Sequence, residues 1–315
     1  MNAQEFKPQT LMEAIEYFSD PEVCDEFVSR MRWPNGIECA YCQSHNIGRI
    51  ASRRMFQCRD CRKQFSAKRG TIFEDSPIPL DKWLAAMWMI ANCKNGISSY
   101  EVARDLGVTQ KSAWFMMHRI RLAMQDENGG KLAGEVEVDE TFIGGKARNM
   151  HAGRRERKIK GGTGVAGKTV VMGLLERHAK VKTQVVRNVR RKNLDPLVRE
   201  HIESGSTVYT DALPSYESLQ NAFTHQAIDH AEAYVRGNVH TNGLENYWSL
   251  LKRTLKGTYV SVEPFHLFRY LDEQAHRFNL RKTTDRERFD AVVGAVAGKR
   301  LTYGKLTGET PSTIN

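Results

Sequence analysis

Two cysteine pairs constrain this chain more than any other feature. Cys39-Ala40-Tyr41-Cys42 and Cys58-Arg59-Asp60-Cys61 share C-x-x-C spacing, with fifteen residues, 43 to 57, between them. Two such knuckles at this separation match a four-cysteine tetrahedral Zn²⁺ site. Four thiolates leave no open coordination position, so a metal held there is structural and not catalytic. Thioredoxin-like redox chemistry would use one C-x-x-C beside a βαβ unit, not two. Residues 47–50 and 54–57 read as short strands of a ribbon. Cys24 and Cys93 lie outside the pattern and read as buried apolar residues. His45 could replace a ligand, but nothing requires it. The start, Met1-Asn2-Ala3-Gln4-Glu5-Phe6-Lys7, lacks a basic-then-apolar leader, so the cysteines argue for metal or thiols and not for disulfides.

The charge balance points to a polyanionic partner. The 315 residues carry 47 Lys+Arg against 37 Asp+Glu, a formal net charge of +10. Such an excess attracts nucleic acid and says nothing about fold. No long apolar run or amphipathic anchor supports a membrane partner. Arg53, Arg54, Arg59, Arg62, Lys63, Lys68 and Arg69 cluster around Phe56 and Phe65, which suits contact with a nucleic-acid backbone. Residues 9–32 read as a helical lead-in, which with the ribbon makes a first module over 1–70.

Residues 71–130 read as a helix-turn-helix region. A helical run covers 79–91, and Gly96 closes it. Ala103 then lets two helices approach, Gly107 makes the turn and Thr109 caps the next helix. Gln110, Lys111 and Ser112 stand where a recognition helix meets base edges. An ordinary helical hairpin is the plainer reading, but charge and zinc spacing agree with double-stranded DNA as partner. Residues 126–131 read as a linker.

The remainder reads as an α/β layer fold of ribonuclease H type over 134–285, with a tail over 286–315. Residues 134–145 alternate like a strand ending in a glycine turn. A basic segment from 146 to 167 reads as a mobile loop, with Arg154 and Arg155 placed to lie against DNA backbone. Strands follow over 169–175, 183–189 and 207–211, with helices over 194–203 and 263–280. Gly162-Thr163-Gly164-Val165-Ala166-Gly167-Lys168-Thr169 has P-loop spacing, but it precedes a strand where a P-loop opens a helix, so nucleotide binding is not expected.

Asp139 and Asp211 fall at strand ends, and Glu245 in the first turn of an amphipathic helix beginning at 242. Three converging carboxylates supply the hard oxygen ligands that Mg²⁺ or Mn²⁺ takes, and a two-metal site activates the attacking oxygen in phosphodiester displacement. Each has a plainer alternative. Glu137 or Glu140 could replace Asp139, Asp211 could only start a turn, and Asn242 with Glu245 is close to a capping box. Lys252 lies two turns along the same helix side and offers a cation to a nearby phosphate.

These segments resemble the zinc-ribbon insertion-sequence transposases of the DDE superfamily, the ISXO-two-like group. The resemblance rests on Arg32-Trp33-Pro34, on Val138-Asp139-Glu140-Thr141-Phe142-Ile143-Gly144-Gly145, on Tyr209-Thr210-Asp211 and on His240-Thr241-Asn242-Gly243-Leu244-Glu245-Asn246-Tyr247-Trp248-Ser249-Leu250-Leu251-Lys252-Arg253. Lys256-Gly257-Thr258-Tyr259 and Tyr270-Leu271-Asp272-Glu273 continue it. It covers most of the chain. It implies a ribonuclease H-like catalytic domain that cuts and joins the ends of a mobile element. Asp139, Asp211 and Glu245 become the catalytic triad and Lys252 the accompanying basic residue. Some relatives place asparagine at the third position, which keeps Asn242 as a lesser candidate. Mg²⁺ or Mn²⁺ as catalytic cofactor, Zn²⁺ as structural metal, a homo-oligomer on DNA and a place in the cytoplasm on the bacterial nucleoid follow as expectations. Two rival readings remain: a nuclease or resolvase that cuts without joining, and a zinc-ribbon and helix-turn-helix regulator whose C-terminal domain is not catalytic.

Overall fold

A computed structural model describes residues 7–126, 129–145, 150–158, 166–211, 214–228 and 240–309. The chain divides into two compact units, Met1–Gln125 with Leu280–Asn315, and Asp126–Asn279.

In the first unit, helices α1 (Leu11–Tyr17) and α2 (Pro21–Arg32) start at side-chain caps. Thr10 and Glu13 form a capping box, and Asp20 accepts from the Glu22 N–H ahead of Pro21. The ribbon follows as three antiparallel strands, β1 (Ile47–Ile50), β2 (Met55–Cys58) and β3 (Gln64–Phe65). Phe56 and Phe65 are buried in its core with Cys39 and Cys58. Their rings hold the ribbon together and are closed to a partner, contrary to the expectation that they sit among surface arginines. Lys68 donates to the Ile78 carbonyl at 3.0 Å, whereas Arg53, Arg59, Arg62 and Lys63 remain exposed.

Helix α3 (Leu80–Asn92) is almost wholly buried. Helices α4 (Ser99–Leu106) and α5 (Gln110–Ala123) then pack on each other across three residues. Gly107 adopts φ +59°, a left-handed value that suits glycine, and the Thr109 side chain accepts the Ser112 N–H at 3.1 Å. Both features follow the sequence expectation.

Of the residues set apart as a tail, 286–309 belong to this unit and are structured. Helix α10 (Asp285–Gly294) packs on α2 and α3. Phe289 stacks on Phe27 at 5.9 Å and meets Trp88 at 5.0 Å. Arg119, buried on α5, donates to the carbonyls of Leu301, Ile72 and Glu74 at 2.8–3.0 Å. A short helix α11 (Tyr303–Thr307) follows.

The second unit is a five-stranded mixed sheet in the order β6-β5-β4-β7-β8. The strands are β4 (Glu135–Ile143), β5 (Thr169–Glu176), β6 (Val181–Val186), β7 (Thr207–Asp211) and β8 (Thr224–Ile228). The first three form an antiparallel meander; β7 joins β4 in parallel, and β8 joins β7 in parallel. Helix α6 (Ala152–Lys158) interrupts the segment read as one long loop. The glycine run at 161–165 lies outside the described residues, and the stretch beyond it is strand β5.

Alternation along the strands sorts side chains onto two faces. Val136, Val138, Met172 and Val208 pack on one face under α7 (Arg191–His201) and the turn Pro214–Asn221. Val171 and Leu175 pack on the other under α8 (Asn242–Gly257) and α9 (Leu267–Asn279). Leu244, Tyr247, Trp248, Leu251 and Leu255 form the buried stripe of α8. Among the described residues no helix is long and apolar enough to cross a membrane.

Candidate active site and zinc centre

The zinc centre comes from two tight knuckles. The Tyr41 N–H donates to Cys39 Sγ and the Cys61 N–H to Cys58 Sγ, each at 3.4 Å. Backbone donation from Cys61 lowers the Cys58 thiol and favours the thiolate that metal requires, while burial and the crowded sulfurs hold the Cys42 thiol up. Cys39 Sγ lies 3.6 Å from Cys61 Sγ, and Cys42 Sγ lies 3.6 Å from Cys58 Sγ. All four ligand atoms lie within 4.8 Å of one another. A tetrahedron with Zn–S bonds of about 2.3 Å has edges of about 3.8 Å, close to the two 3.6 Å separations. His45 is not needed; it lies 3.6 Å from Glu38. Cys24 is buried and donates to the Phe18 carbonyl.

Asp139 was expected at a strand end but lies midway along β4, which runs on to Ile143, whereas Asp211 does end β7. The paired register runs from Glu135 opposite Thr207 to Glu137 opposite Tyr209. Two further residues along each strand bring Asp139 level with Asp211. In parallel strands such residues point to the same face, here the one that carries α8. Glu245 stands exposed in the first turn of α8. The charges of Asp211 and Glu245 both act on Asp139. Burial, above all, raises Asp139 to about 6, against the lowering effect of a hydrogen bond from Trp248. Glu140 goes further, to about 8, through burial and then the charges of Asp211 and Asp139; its Oε1 is buried without a hydrogen-bond partner. A divalent cation beside such desolvated carboxylates would stabilise their charged form.

Trp248 fixes the position of Asp139. Its indole Nε1 donates to Asp139 Oδ2 at 2.9 Å. The ring can lie there because Gly173, opposite Asp139 on β5, has no side chain. A Cβ on Gly173 would stand 2.5 Å from Trp248 Cζ2. The sequence shows Trp248 only as a core residue; its indole donor has no sequence signature.

Glu137, one of the alternatives, is committed elsewhere. It is buried, pairs with Arg177 Nε at 3.1 Å, and accepts the Leu244 N–H at 2.9 Å. It therefore supplies from the sheet the cap that α8 lacks. The N-cap residue is Thr241, whose side chain makes no capping bond, so the Asn242–Glu245 capping box is absent. Gly243 permits this approach, since a Cβ there would meet Glu137 Oε2 at 2.7 Å. Glu245 is left with no ion pair or hydrogen bond from its carboxylate among the described residues. Lys252 is exposed two turns further along α8, and Asn242 is exposed at the helix start.

Comparison with known proteins gives this geometry its family. Residues 131–279 match the ISXO2-like transposase domain, and residues 19–64 match the transposase zinc-ribbon domain. An uncharacterized transposase-like protein of Haemophilus influenzae is 37% identical over 101 residues, 32% of this chain and 81% of the relative. The chain belongs to the ISXO2-like transposase family. An uncharacterized protein in transposable element ISH50 of Halobacterium salinarum is 28% identical over 256 residues, 78% of this chain and 86% of that protein. For a transposase-family chain, the residues expected at DNA divide into two groups. Gln110 is half-buried and donates to Ser99 Oγ at 2.8 Å, Ser112 accepts from the Thr109 hydroxyl, and Lys111 lies 4.6 Å from the Tyr303 ring. Their side chains thus hold the start of α5 together. Arg155 is exposed on α6, while the side chain of Arg154 lies outside the described residues.

Proposed function

We propose that this chain is a metal-dependent DNA transposase that cuts and joins the ends of an insertion sequence. The observation that carries the reading is the shared field of Asp139, midway along the central strand β4, Asp211, at the end of β7, and Glu245, in the first turn of α8. The sheet order, with β4 central between an antiparallel meander and two parallel strands, supports a ribonuclease H-like catalytic domain. Asp139, Asp211 and Glu245 would hold Mg²⁺ or Mn²⁺. Such a metal pair activates the attacking oxygen and stabilises the leaving one in phosphodiester displacement. Trp248 orients Asp139, and Glu137 positions the α8 start that carries Glu245. Lys252 is placed to draw a phosphate toward the acids. The ribbon, together with α4 and α5 as a helix-turn-helix, binds the element end in duplex form, with a homo-oligomer bringing two ends together.

The test is cleavage and strand transfer on end-sequence oligonucleotides with Mg²⁺. The natural chain should give both products, and Asp139→Asn, Asp211→Asn and Glu245→Gln should each abolish both while retaining the fold. Their losses should not add, because one missing ligand already removes the working pair. Cleavage without strand transfer would point to a nuclease. DNA binding with no cleavage under either metal would favour the regulator.

A further inference from the structure

The corner between β6 and α7 carries four cations that the carboxylate site does not use. Arg187, Arg190, Arg191 and Lys192 are all exposed, and among the described residues none forms an ion pair. Asp195, the next acid along the chain, is held by Arg199 at 2.8 Å and by Ser218, and feels Arg191 only weakly. Arg187, Asn188, Arg190, Lys192 and Asn193 line a cavity of about 480 Å³. Packing does not account for this charge. Side chains on the exposed surface bury little apolar area, and α7 has no acid in its first turn to balance them. Cations there even oppose the helix dipole, so local stability argues against the sequence that is present.

The corner's place in the sheet gives the charge a use. Val186 ends β6 opposite Val170 of β5, and Thr169 pairs with Ile143 at the far end of β4. Val186 therefore lies level with Phe142, three residues beyond Asp139 on β4 and toward the strand end at which β7 stops with Asp211. Two strand spacings of about 4.8 Å separate β6 from β4. Ser215, four residues after Asp211, donates to the Val189 carbonyl at 2.8 Å and ties the corner to the strand that carries Asp211. A duplex lying over the carboxylates presents one phosphate charge per about 1.7 Å of its axis, so further phosphates pass within reach of this corner.

We infer that Arg187, Arg190, Arg191 and Lys192 form a binding site for backbone phosphates of the DNA duplex that is processed at Asp139 and Asp211, an inference that rests on the proposed function. The ligand is the phosphodiester backbone and not the bases. Exposed point charges without a rigid acceptor pattern attract phosphate and carry no sequence information.

The experiment measures duplex affinity of the full chain across a salt series, using the cleavage-deficient Asp139→Asn background so that no DNA is consumed. The quadruple variant Arg187→Gln, Arg190→Gln, Arg191→Gln, Lys192→Gln should bind end-sequence and random duplex equally less well. Its log–log salt slope should shrink by about 2–4, at about 0.9 per phosphate contact. Replacing the three arginines by lysine should restore the slope, which a merely structural role would not do. The glutamine variant should melt no lower than its parent; should it melt lower, the pair Arg187→Gln and Lys192→Gln, which leaves the N-cap residue Arg190 in place, decides by the same slope. An unchanged slope, a loss confined to the end sequence, or failure of the lysine set to rescue would overturn the inference. Reduced slope together with absent metal-dependent cleavage in the natural chain would overturn the catalytic reading and leave this site standing.

Discussion

At the residue scale, one contact offers a sharp test of the candidate site. Trp248 donates to Asp139, and that bond lowers a carboxyl that burial raises to about 6. Trp248→Phe keeps the ring packing and removes the donor, so Asp139 should rise further and the acidic limb of the pH–rate profile should move to higher pH. An unmoved limb would mean that Asp139 does not set it. Gly173→Ala should act on the same contact from the other side, since its Cβ would stand 2.5 Å from the indole. An overpacked core site of this kind costs about 1–3 kcal/mol, measurable by denaturant unfolding. Neither residue was legible as part of a site. A glycine in a strand and a tryptophan in an apolar stripe carry no catalytic signature, and their juxtaposition depends on β4, β5 and α8 coming together. Asp211 and Glu245 were placed correctly because a strand end and a helix start can be read from periodicity; Asp139, expected at a strand end, lies midway along β4 because that strand runs on to Ile143. The role of Glu137 was not, because its partner N–H lies 107 residues away.

At the element scale, α8 departs from its sequence reading in a way that bears on Glu245. Asn242 followed by Glu245 reads as a cap, but the cap bond comes from Glu137 on β4. Glu245→Ala should therefore leave unfolding stability within about 0.5 kcal/mol, as for an ordinary surface position, where a true cap would lose about 0.5–2 kcal/mol. The middle of β4 makes a prediction for pH. Asp139 and Glu140 are raised to about 6 and about 8, above the value near 4 of an unfolded carboxyl. The stabilisation that comes with holding those protons is present below pH 4 and is lost as pH rises through 6 and 8. Thermal unfolding of metal-free protein should accordingly fall from pH 5 to pH 9, and the double variant Asp139→Asn, Glu140→Gln should fall less steeply. Equal slopes in calorimetry would contradict the raised carboxyls. Most helices and strands were legible from their periods and caps. Strand β8, whose Thr224–Ile228 lacks a strong apolar pattern, was not, and α6 was hidden in a run of arginines and lysines.

At the scale of the whole molecule, the chain is two units whose sequence ranges interleave, because Leu280–Asn315 returns to the first. The return was illegible because α10 is short and mixed in charge, and its apolar Phe289, Val292 and Val293 gain meaning only beside Phe27 and Trp88. Phe289→Ala should cost about 3–5 kcal/mol in the unit that carries the ribbon. Zinc removal should unfold the ribbon itself, since structural zinc contributes folding energy directly. The carboxylate site belongs to the other unit and stands or falls on whether it takes metal. The most direct measurement is anomalous diffraction at the manganese edge from crystals soaked in Mn²⁺. Manganese density is expected between Asp139 and Asp211, and at a second site that includes Glu245, with both lost in Asp139→Asn. Density on Glu140 or Asn242 without Glu245, or no manganese at Asp139 and Asp211, would contradict the triad.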